Sequence, residues 1–333
     1  MGKKHFLYLF IITFALSLLA LVSHLIQPKF ETTISKGVLV FKNINEQLNN
    51  INQINIDNGI KNIVIKRNES EWVMESKFNY KVKEEIIKEK LIKVSQLRFF
   101  EKKTKEEFLY SRLDLHYPKD EEGNSKLISI YSGENDILSR FILGKSKKNG
   151  VYIKKLDEKQ SWLASGILKM SVNELDWLES IIFNVDYEKI KNIKLKHSNK
   201  SILSLSKDDK NENLIIDNLP KGELPKSDLI ANFLGEFLSN LSFNDVSIRK
   251  NNYENNVITN VIYELFDNIF INAIVFKEDN KKWINFNVDE KSFNYLKENN
   301  NIFVENIENW SYKLSSTKYN TVETKLKDLL VED

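Results

Sequence analysis

The sequence predicts an α+β protein in which an N-terminal transmembrane helix is followed by a tandem duplication of an antiparallel-sheet unit with one long packed helix each. Three observations predict this class. An apolar run of about 21 residues, 6–26, spans roughly 30 Å as a helix. The rest of the chain alternates between stretches of period two and stretches of helical spacing, and their order occurs twice. The predicted boundaries are 1–28 for the cytoplasmic tip and anchor, 29–50 for a stalk, 51–187 for the first repeat and 188–333 for the second.

The apolar run predicts an uncleaved membrane anchor. Lys3 and Lys4 precede it, and positive residues keep the adjacent end of a span in the cytoplasm. A cleaved signal peptide, the competing interpretation, has an apolar core of about 7–15 residues that ends at a small-x-small site. Residues 20–23 match that site poorly, and 24–26 prolong the run. We therefore predict a single-pass protein of the inner (cytoplasmic) membrane that contacts the lipid bilayer through residues 6–26. Its C-terminal body lies on the periplasmic side.

The composition of the body excludes several classes of protein. The chain has no cysteine, so it forms no disulfide and lacks the cysteine that a lipoprotein needs. Lys and Arg number 49 against 47 Asp and Glu, and a net charge of +2 gives no reason to expect nucleic acid as a partner. The hydrophobic fraction of 41% predicts a folded body and not a disordered tail.

The first repeat follows a stalk whose leading helix has a loose apolar face, formed by Val38, Val40, Phe41, Ile44 and Leu48. A short strand at 54–57 and a hairpin over 60–66 and 71–75 follow, because apolar residues alternate there on both sides of a polar turn. Helical spacing then predicts a helix over 83–99. The remaining elements are strands over 126–131, 137–143, 151–154 and 160–163, and a short helix over 171–180 with Ser171 as N-cap and Glu174 in a capping box.

The second repeat begins at 190–195, where IKNIKL resembles the IKNIVI of 60–65. The predicted elements are hairpin arms at 201–205 and 214–216, a helix over 227–243 with Ser227 as N-cap, strands over 257–266, 269–276, 282–288 and 309–314, and a final helix over 318–330. The common order is hairpin, helix, meander, tryptophan strand and helix. This order predicts the duplication.

The side chains that could carry metal or nucleotide chemistry are scattered. The four histidines, His5, His24, His116 and His197, show no metal-binding spacing, whereas a zinc site needs three or four converging ligands. A Gly-Lys-Ser sequence at 144–146 has Ser139 where a phosphate-binding loop requires glycine, so we interpret it as a lysine-rich hairpin turn. No serine lies in a nucleophile motif.

The acidic residues predict solvated loops. Ten of them are candidates, and most of these lie in polar turns: Asp114, Asp120, Glu121, Glu122, Asp176, Glu179, Asp208, Asp209, Asp289 and Glu290. The run 120–123 suggests a cation loop but lacks the spacing of a calcium site. The five tryptophans, Trp72, Trp162, Trp177, Trp283 and Trp310, are predicted to pack in the core, with sugar stacking as the alternative. We therefore predict no catalytic, cofactor-binding or metal-binding residue.

Several segments, in order, resemble a bacterial envelope family known as domain of unknown function 4340. They are IVIKRNESEWVMES at 63–76, NYKVKEEIIKEKLIKVSQLRFFEKKT at 79–104, LYSRLDL at 109–115, LGKSKKNGVYIKKLDEKQSWL at 143–163 and DWLESIIFNV at 176–185. The resemblance implies a fold and a place beside ABC-type export or gliding-type systems. The family supplies no catalytic residues to carry over.

Three functions remain open at this point. The first is a non-enzymatic accessory or interaction subunit that binds a membrane protein such as a transporter subunit. The second is an envelope glycan- or lipid-binding module with a groove between the repeats, which needs an exposed aromatic strip or a concave apolar pocket. The third is a carboxylate hydrolase, which needs two acids converging in a cleft. Because no site is visible in the sequence, we favour the first, without cofactor or enzymatic activity.

Overall fold

The computed structural model describes residues 13, 16–17, 37–69, 71–119, 124–133, 136–210, 212–251 and 253–331. The described residues form one antiparallel sheet of nine strands and one of eight, with short helices beside them. This arrangement confirms the α+β class. No helix within these ranges combines the length and apolarity that crossing a membrane requires. The predicted anchor at 6–26 lies outside the described residues except for Thr13, Leu16 and Ser17.

The first sheet is built from the segments where the sequence alternates. Its strands are β1 (Ile51–Asp57), β2 (Asn62–Asn68), β3 (Glu71–Met74), β4 (Tyr80–Lys81), β5 (Arg98–Lys102), β6 (Lys126–Ser132), β7 (Asp136–Lys147), β8 (Gly150–Lys155) and β9 (Ser161–Ser165). Their order in space is β4-β3-β2-β1-β6-β7-β8-β9-β5. Ile54 pairs with Ile65, and Ile56 with Ile63. All four are buried, because side chains two residues apart lie on the same face of a strand.

The second sheet is built in the same way. After β10 (Ile181–Phe183), the chain forms β11 (Ile190–His197), β12 (Ile202–Ser206), β13 (Ile215–Ile216), β14 (Leu241–Ser242), β15 (Asp245–Ile248), β16 (Val257–Leu265), β17 (Phe270–Glu278), β18 (Lys281–Asn287) and β19 (Trp310–Lys313). The order in the sheet is β13-β12-β11-β16-β17-β18-β19-β15, and β10 pairs with β14 in a separate ribbon.

The two sheets share one strand order. Each strand of the second sheet occupies the position of the first-sheet strand whose number is ten lower, from β13 and β3 at one end to β15 and β5 at the other. Strand β4 extends the first sheet by one position. In both halves the chain leaves the third strand, passes through a helical segment and returns at the far edge of the sheet.

The hairpin predicted over 257–266 and 269–276 matches β16 and β17 closely. Val261 pairs with Ala273 and Tyr263 with Ile271, and all four side chains are buried. Asn268 occupies the turn with φ 57°, a left-handed conformation that asparagine tolerates better than most residues. The alternation in the sequence therefore predicted both the strands and the side that faces the core.

The described helices are short: α1 (Lys42–Glu46), α2 (Glu84–Ser95), α3 (Asn232–Gly235), α4 (Glu290–Glu298), α5 (Ser316–Glu323) and α6 (Leu326–Leu329). Helix α2 lies within the helix predicted over 83–99 and buries Ile87, Leu91 and Val94. The end of that prediction is wrong, because β5 begins at Arg98 and pairs with β9.

The long helix predicted over 227–243 is wrong. Only α3 and the 3-10 turn Glu236–Leu238 are helical, and Leu241 then enters β14. Asn240 has a positive φ of 45°, and this left-handed residue separates the turn from the strand. The apolar residues of 227–243 have helical spacing, but some of them face the core and others face the solvent. Leu234 is buried in the core, whereas Leu229 is exposed.

Two further helix predictions need correction. Within 171–180 only Glu174–Asp176 forms a 3-10 turn, because the Ser171 hydroxyl accepts from Asn173 N and bonds the Asp176 carboxylate. The final helix divides into α5 and α6 at Thr324, which has extended backbone. Helix α4 was missed, although Asp289 caps it by accepting from Ser292 N.

The described part of the predicted stalk packs on the first sheet. Val40 N donates to Leu97 O, and Phe99 N donates to Val38 O, so residues 38–40 run along β5. Phe41 and Ile44 are buried in the core. The segment thus covers part of an edge strand whose backbone groups would otherwise be unpaired.

Candidate functional site

The two histidines within the described ranges lie in different halves of the body. His116 Nε2 is 3.2 Å from Ser125 Oγ, and His197 Nδ1 is 3.0 Å from Thr259 Oγ1. Neither His116 nor His197 joins a group of three His, Asp or Glu side chains that could hold a metal ion, and the described residues contain no such group elsewhere. His5 and His24 lie outside the described residues.

The Gly-Lys-Ser sequence at 144–146 lies inside strand β7 and not in a phosphate-binding loop. A Cβ on Gly144 would stand 2.2 Å from Leu113 O and 2.9 Å from Asp114 O. Glycine is therefore needed here because a neighbouring backbone crosses the strand closely. Lys145 donates to Arg112 O at 3.2 Å, which joins the same two segments.

Two of the predicted loop acids, Asp176 and Asp289, accept hydrogen bonds that stabilise local structure. Asp289 caps α4, and the hydrogen bonds from Ser292 hold the pKa of its carboxyl below the usual range. Asp208 N and Asp209 N donate to the Glu212 carboxylate. Asn173 donates to Asp176 at 3.1 Å. The run 120–123 lies outside the described residues. Asp114 differs from these acids, because it is buried.

The tryptophans contribute to packing. Trp72, Trp177 and Trp283 are buried, and Trp162 and Trp310 are half-buried against the core. Trp177 Nε1 also donates to Ser171 O at 3.1 Å. The observed burial agrees with the prediction that these rings pack in the core.

The contact between the two sheets is aromatic where the sequence suggested a groove. Tyr80 of β4 meets Phe243 at 5.3 Å and Trp310 at 4.8 Å between ring centroids, both edge to face. Phe183 and Phe286 meet at 5.0 Å between ring centroids, and the Tyr312 ring lies between Phe286 and Tyr80, at 6.1 Å and 6.4 Å. These rings pack against one another at the junction of the two sheets.

A cleft of about 600 Å³ lies within the first unit, between α2, strands β6 and β7, and the segment 168–177. We call it the lysine-rimmed cleft. Its apolar side chains include Leu143, Leu168, Met170 and Trp177, all buried, and its charged side chains are Lys90, Lys126, Lys145, Lys169, Asp114 and Asp176.

The charges of the lysine-rimmed cleft are only partly paired. Lys145 Nζ lies 3.7 Å from Asp114 Oδ1, whereas Asp114 Oδ2 is buried without a hydrogen-bond partner among the described residues. Burial lowers the pKa of Lys126, and the charge of Asp114 opposes this effect. Lys90 lies 3.4 Å from Glu89. The cleft therefore has an excess of positive charge next to a carboxylate oxygen that can accept a hydrogen bond.

Sequence reasoning missed Lys90, Lys126 and Lys169, because they come from three separate segments and form no motif. Lys126 carries the nearest signal. It begins a strand whose next four residues are all buried, so a lysine at this position is partly desolvated. The sequence did name Asp114, Asp176 and the glycine-lysine pair at 144–145, and the structure brings them together in this cleft.

A second candidate surface lies beside β13 and α3. We call it the apolar margin, and define it by five exposed side chains: Leu219, Leu224, Leu229, Phe233 and Val331. Leu224 is 67% exposed, and its carbonyl accepts from Val331 N at 2.9 Å. Phe233 lies in α3, and Leu229 lies in the turn that precedes this helix. Contiguous exposed apolar patches mark surfaces that bind other proteins or membranes, so these side chains make the apolar margin a candidate for such a surface.

The comparisons with known proteins give one match. Residues 72–256 match the family described as Domain of unknown function (DUF4340). No curated protein and no solved structure matches the chain. The matched residues include the whole lining of the lysine-rimmed cleft and four of the five residues of the apolar margin. Because the match covers more than half of the chain and contains the resembling segments from Asn79 to Val185, the protein belongs to the DUF4340 family.

Proposed function

We propose that this protein is a non-enzymatic, membrane-anchored accessory subunit of the cell envelope that binds a membrane protein partner through the apolar margin. The observation that carries this proposal is the exposure of five large apolar side chains between β13 and the end of the chain. Leaving them in water is unfavourable by roughly 25 cal/mol per Å² of apolar surface, and a partner removes that cost. A transporter subunit of an ABC-type export or gliding-type system is the partner that the family resemblance suggests.

We infer that residues 6–26 anchor the chain in the inner membrane with the body on the periplasmic side. The apolar composition of the run and the preceding lysines support this topology. Thr13, Leu16 and Ser17 are helical, and Ser17 Oγ donates to Thr13 O at 2.8 Å. A serine hydroxyl that bonds the backbone one turn earlier is satisfied without water, as a lipid environment requires.

We also propose that the body is a tandem duplication of one unit. The shared strand order of the two sheets supports this origin, as does the equivalent return path from the third strand to the far edge. Superposition of residues 51–187 on 188–333 tests it. Failure to overlay β1, β2 and β6 on β11, β12 and β16 argues against a common ancestor for the halves.

Partner binding is tested by purifying the full-length protein from membranes in mild detergent and identifying co-purified proteins by mass spectrometry. Phe233→Ala and Leu229→Ser alter the apolar margin without touching the core, so we expect a folded, membrane-bound protein that loses its partner. Ile60→Ser is the matched control, because Ile60 is 71% exposed in the first unit. Retention of the same partner by both margin variants excludes this surface.

Topology is tested with reporters fused after Asp333. A reporter that is active only outside the cytoplasm is expected to be active there, and a cytoplasmic reporter is expected to be silent. Leu18→Asp together with Leu19→Asp places two charges in the apolar run, which costs roughly 5–7 kcal/mol of insertion. The doubly substituted chain should be released from the membrane or degraded. Membrane retention of this variant contradicts the anchor.

A second candidate function is an envelope ligand-binding module, which the lysine-rimmed cleft favours. A concave site with an apolar floor and a few charged groups is the usual form of a small-molecule site. This module does not require the apolar margin, so the two functions are tested by separate variants. Among the described residues, the cleft holds Asp114 and Asp176, but Asp176 is already hydrogen-bonded by Ser171 and Asn173. The geometry thus favours binding over a carboxylate hydrolase.

A further inference from the structure

We propose that the lysine-rimmed cleft binds a phosphate ester of an alcohol that carries a free hydroxyl, the chemistry shared by glycerol phosphate and the headgroup of phosphatidylglycerol. The inference names a ligand class for the second candidate function and rests on it. It is independent of the partner proposed for the apolar margin.

The lysines select an anion. Lys90, Lys126, Lys145 and Lys169 line one cleft of about 600 Å³ together with only two carboxylates. One of those, Asp176, accepts bonds from its own loop. A lysine ammonium is a compact point charge with three donors, and it binds phosphate oxygens from several directions. A phosphate in this cleft therefore meets a net positive field and several donors.

Asp114 selects a hydroxyl beside the anion. Asp114 lines the cleft and is only 6% exposed. Its Oδ2 is buried beside the Lys145 contact of Oδ1 and has no hydrogen-bond partner among the described residues. A buried carboxylate oxygen without a donor is costly. A phosphate alone cannot relieve this cost, because it is itself an acceptor. A hydroxyl on the alcohol part of the phosphate ester supplies the missing donor, and this part of the ligand carries no charge that Asp114 would repel.

Burial around Lys126 makes the recognition strong. Lys126 is half-buried, and burial lowers the pKa of its ammonium although the charge of Asp114 opposes this effect. An anion that enters the cleft interacts with the Lys126 ammonium in place of water. Hydrogen bonds between charged groups are stronger than neutral ones, and a partly buried environment strengthens them further. The apolar floor of Leu143, Leu168 and Met170 excludes water from the ligand on its other side.

The cleft lies close to the start of the body. Leu168 follows Ser165 by three residues, Ser165 pairs with Arg98, and Arg98 bridges to Leu39. The apolar run ends about 13 residues before Leu39, a reach of roughly 45 Å at most. A phospholipid headgroup is therefore one possible source of the ligand chemistry, and a free phosphate ester is the other.

The test measures binding to the full-length protein in neutral detergent by titration calorimetry. The probes are glycerol 3-phosphate, n-propyl phosphate, which lacks the hydroxyl, and short-chain phosphatidylglycerol, with short-chain phosphatidylcholine as the zwitterionic control. We expect glycerol 3-phosphate or phosphatidylglycerol to bind, and phosphatidylcholine to bind at least about tenfold more weakly. Tighter binding of glycerol 3-phosphate identifies a free ester, and tighter binding of phosphatidylglycerol identifies the lipid.

Variants decide whether binding occurs in this cleft. Lys126→Met and Lys169→Met should each weaken binding about tenfold, since each removes one charged contact. Lys147→Met is the control, because Lys147 is exposed on β7 outside the cleft. Lys169 is exposed, so its replacement leaves the fold intact. Asp114→Asn should reduce the preference for glycerol 3-phosphate over n-propyl phosphate.

Two results overturn the proposal. One is the absence of binding to both glycerol 3-phosphate and phosphatidylglycerol. The other is that the Lys126→Met and Lys169→Met variants bind the probes as tightly as the Lys147→Met control. If the cleft variants lose probe binding but still co-purify with the same proteins, the ligand site is distinct from the partner-binding apolar margin.

Discussion

Lys77 and Asp245 join the two sheets through an ion pair in which the ammonium lies 2.9 Å from a carboxylate oxygen. Glu174 lies 3.1 Å from the same ammonium. Burial by itself lowers the pKa of Lys77, but hydrogen bonds and charges from Asp245 and Glu174 outweigh it and raise the pKa above its ordinary 10.5. The charged form of Lys77 is therefore favoured in the folded protein.

The raised pKa of Lys77 predicts a loss of stability at high pH. The folded value exceeds the unfolded one, so the contribution is fully present below about 10.5 and is lost as pH rises through the folded pKa. Urea unfolding of the wild type and Lys77→Met should differ by no more than about 1 kcal/mol at pH 8, because Asp245 is partly exposed. The difference should shrink at pH 11. A difference that grows between these two values is incompatible with the ion pair.

Two buried tyrosines should respond oppositely to loss of the hydroxyl. Tyr263 Oη has no hydrogen-bond partner among the described residues, whereas Tyr319 Oη donates to Lys282 O at 2.7 Å and accepts from Leu314 N at 3.1 Å. We expect Tyr263→Phe to raise the free energy of unfolding by about 1 kcal/mol, since it removes an unpaired buried polar group. Tyr319→Phe should lower it by about 1–3 kcal/mol. Chemical unfolding of both variants measures the contrast, and a loss of stability in both is the contrary outcome.

His197 predicts weaker stability in acid. Burial lowers the pKa of its ring, with the charge of Lys325 in the same direction, and the Thr324 carbonyl, Asp328 and Glu323 oppose them. The folded pKa lies below the unfolded value of about 6.5, so the unfolded chain takes up the proton first. Stability should therefore fall as pH drops below about 6.5 and level off below the folded pKa. His197→Gln should flatten this part of the profile, measured by urea unfolding between pH 5 and 8.

Neighbouring residues of α3 provide a matched pair for stability. Leu234 is buried, and Phe233 is 39% exposed. Leu234→Ala should cost about 2–5 kcal/mol, because it leaves a cavity in the core. Phe233→Ala should change stability by no more than about 1 kcal/mol, as for surface positions. Thermal unfolding of the two variants decides this, and similar losses in both would mean that Phe233 belongs to the core.

Gly144 should not tolerate a side chain. A Cβ at this position would approach Leu113 O to 2.2 Å, and a backbone oxygen cannot move aside like a flexible side chain. We expect Gly144→Ala to lower the free energy of unfolding by about 1–3 kcal/mol. Lys147→Ala on the same strand is the control, since Lys147 is exposed. Equal stability of the two variants would show that the crossing backbone adjusts without cost.

Local pattern was sufficient where neighbours in the chain are also neighbours in the structure. The hairpins of β2 with β3 and of β16 with β17 follow from alternating apolar residues and short polar turns, and α2 follows from the spacing of Ile87, Leu91 and Val94. In these segments the spacing of apolar residues along the sequence directly predicts which face of the helix or strand is buried.

Pattern failed where a segment is divided between two partners. The residues 227–243 have helical spacing, yet β14 pairs with β10 and removes Leu241 from any helix. Such pairing depends on a strand about 60 residues earlier, so no local periodicity reports it.

The sequence by itself determined the class of the fold, most strands with their buried faces, and the family. Only the tertiary structure decided that Lys90, Lys126, Lys145 and Lys169 line one cleft around Asp114, and that aromatic rings pack against one another at the junction of the sheets. The physical reason is that strand order is set by long-range pairing. Residues far apart in the chain become neighbours only when the sheet has placed their strands side by side.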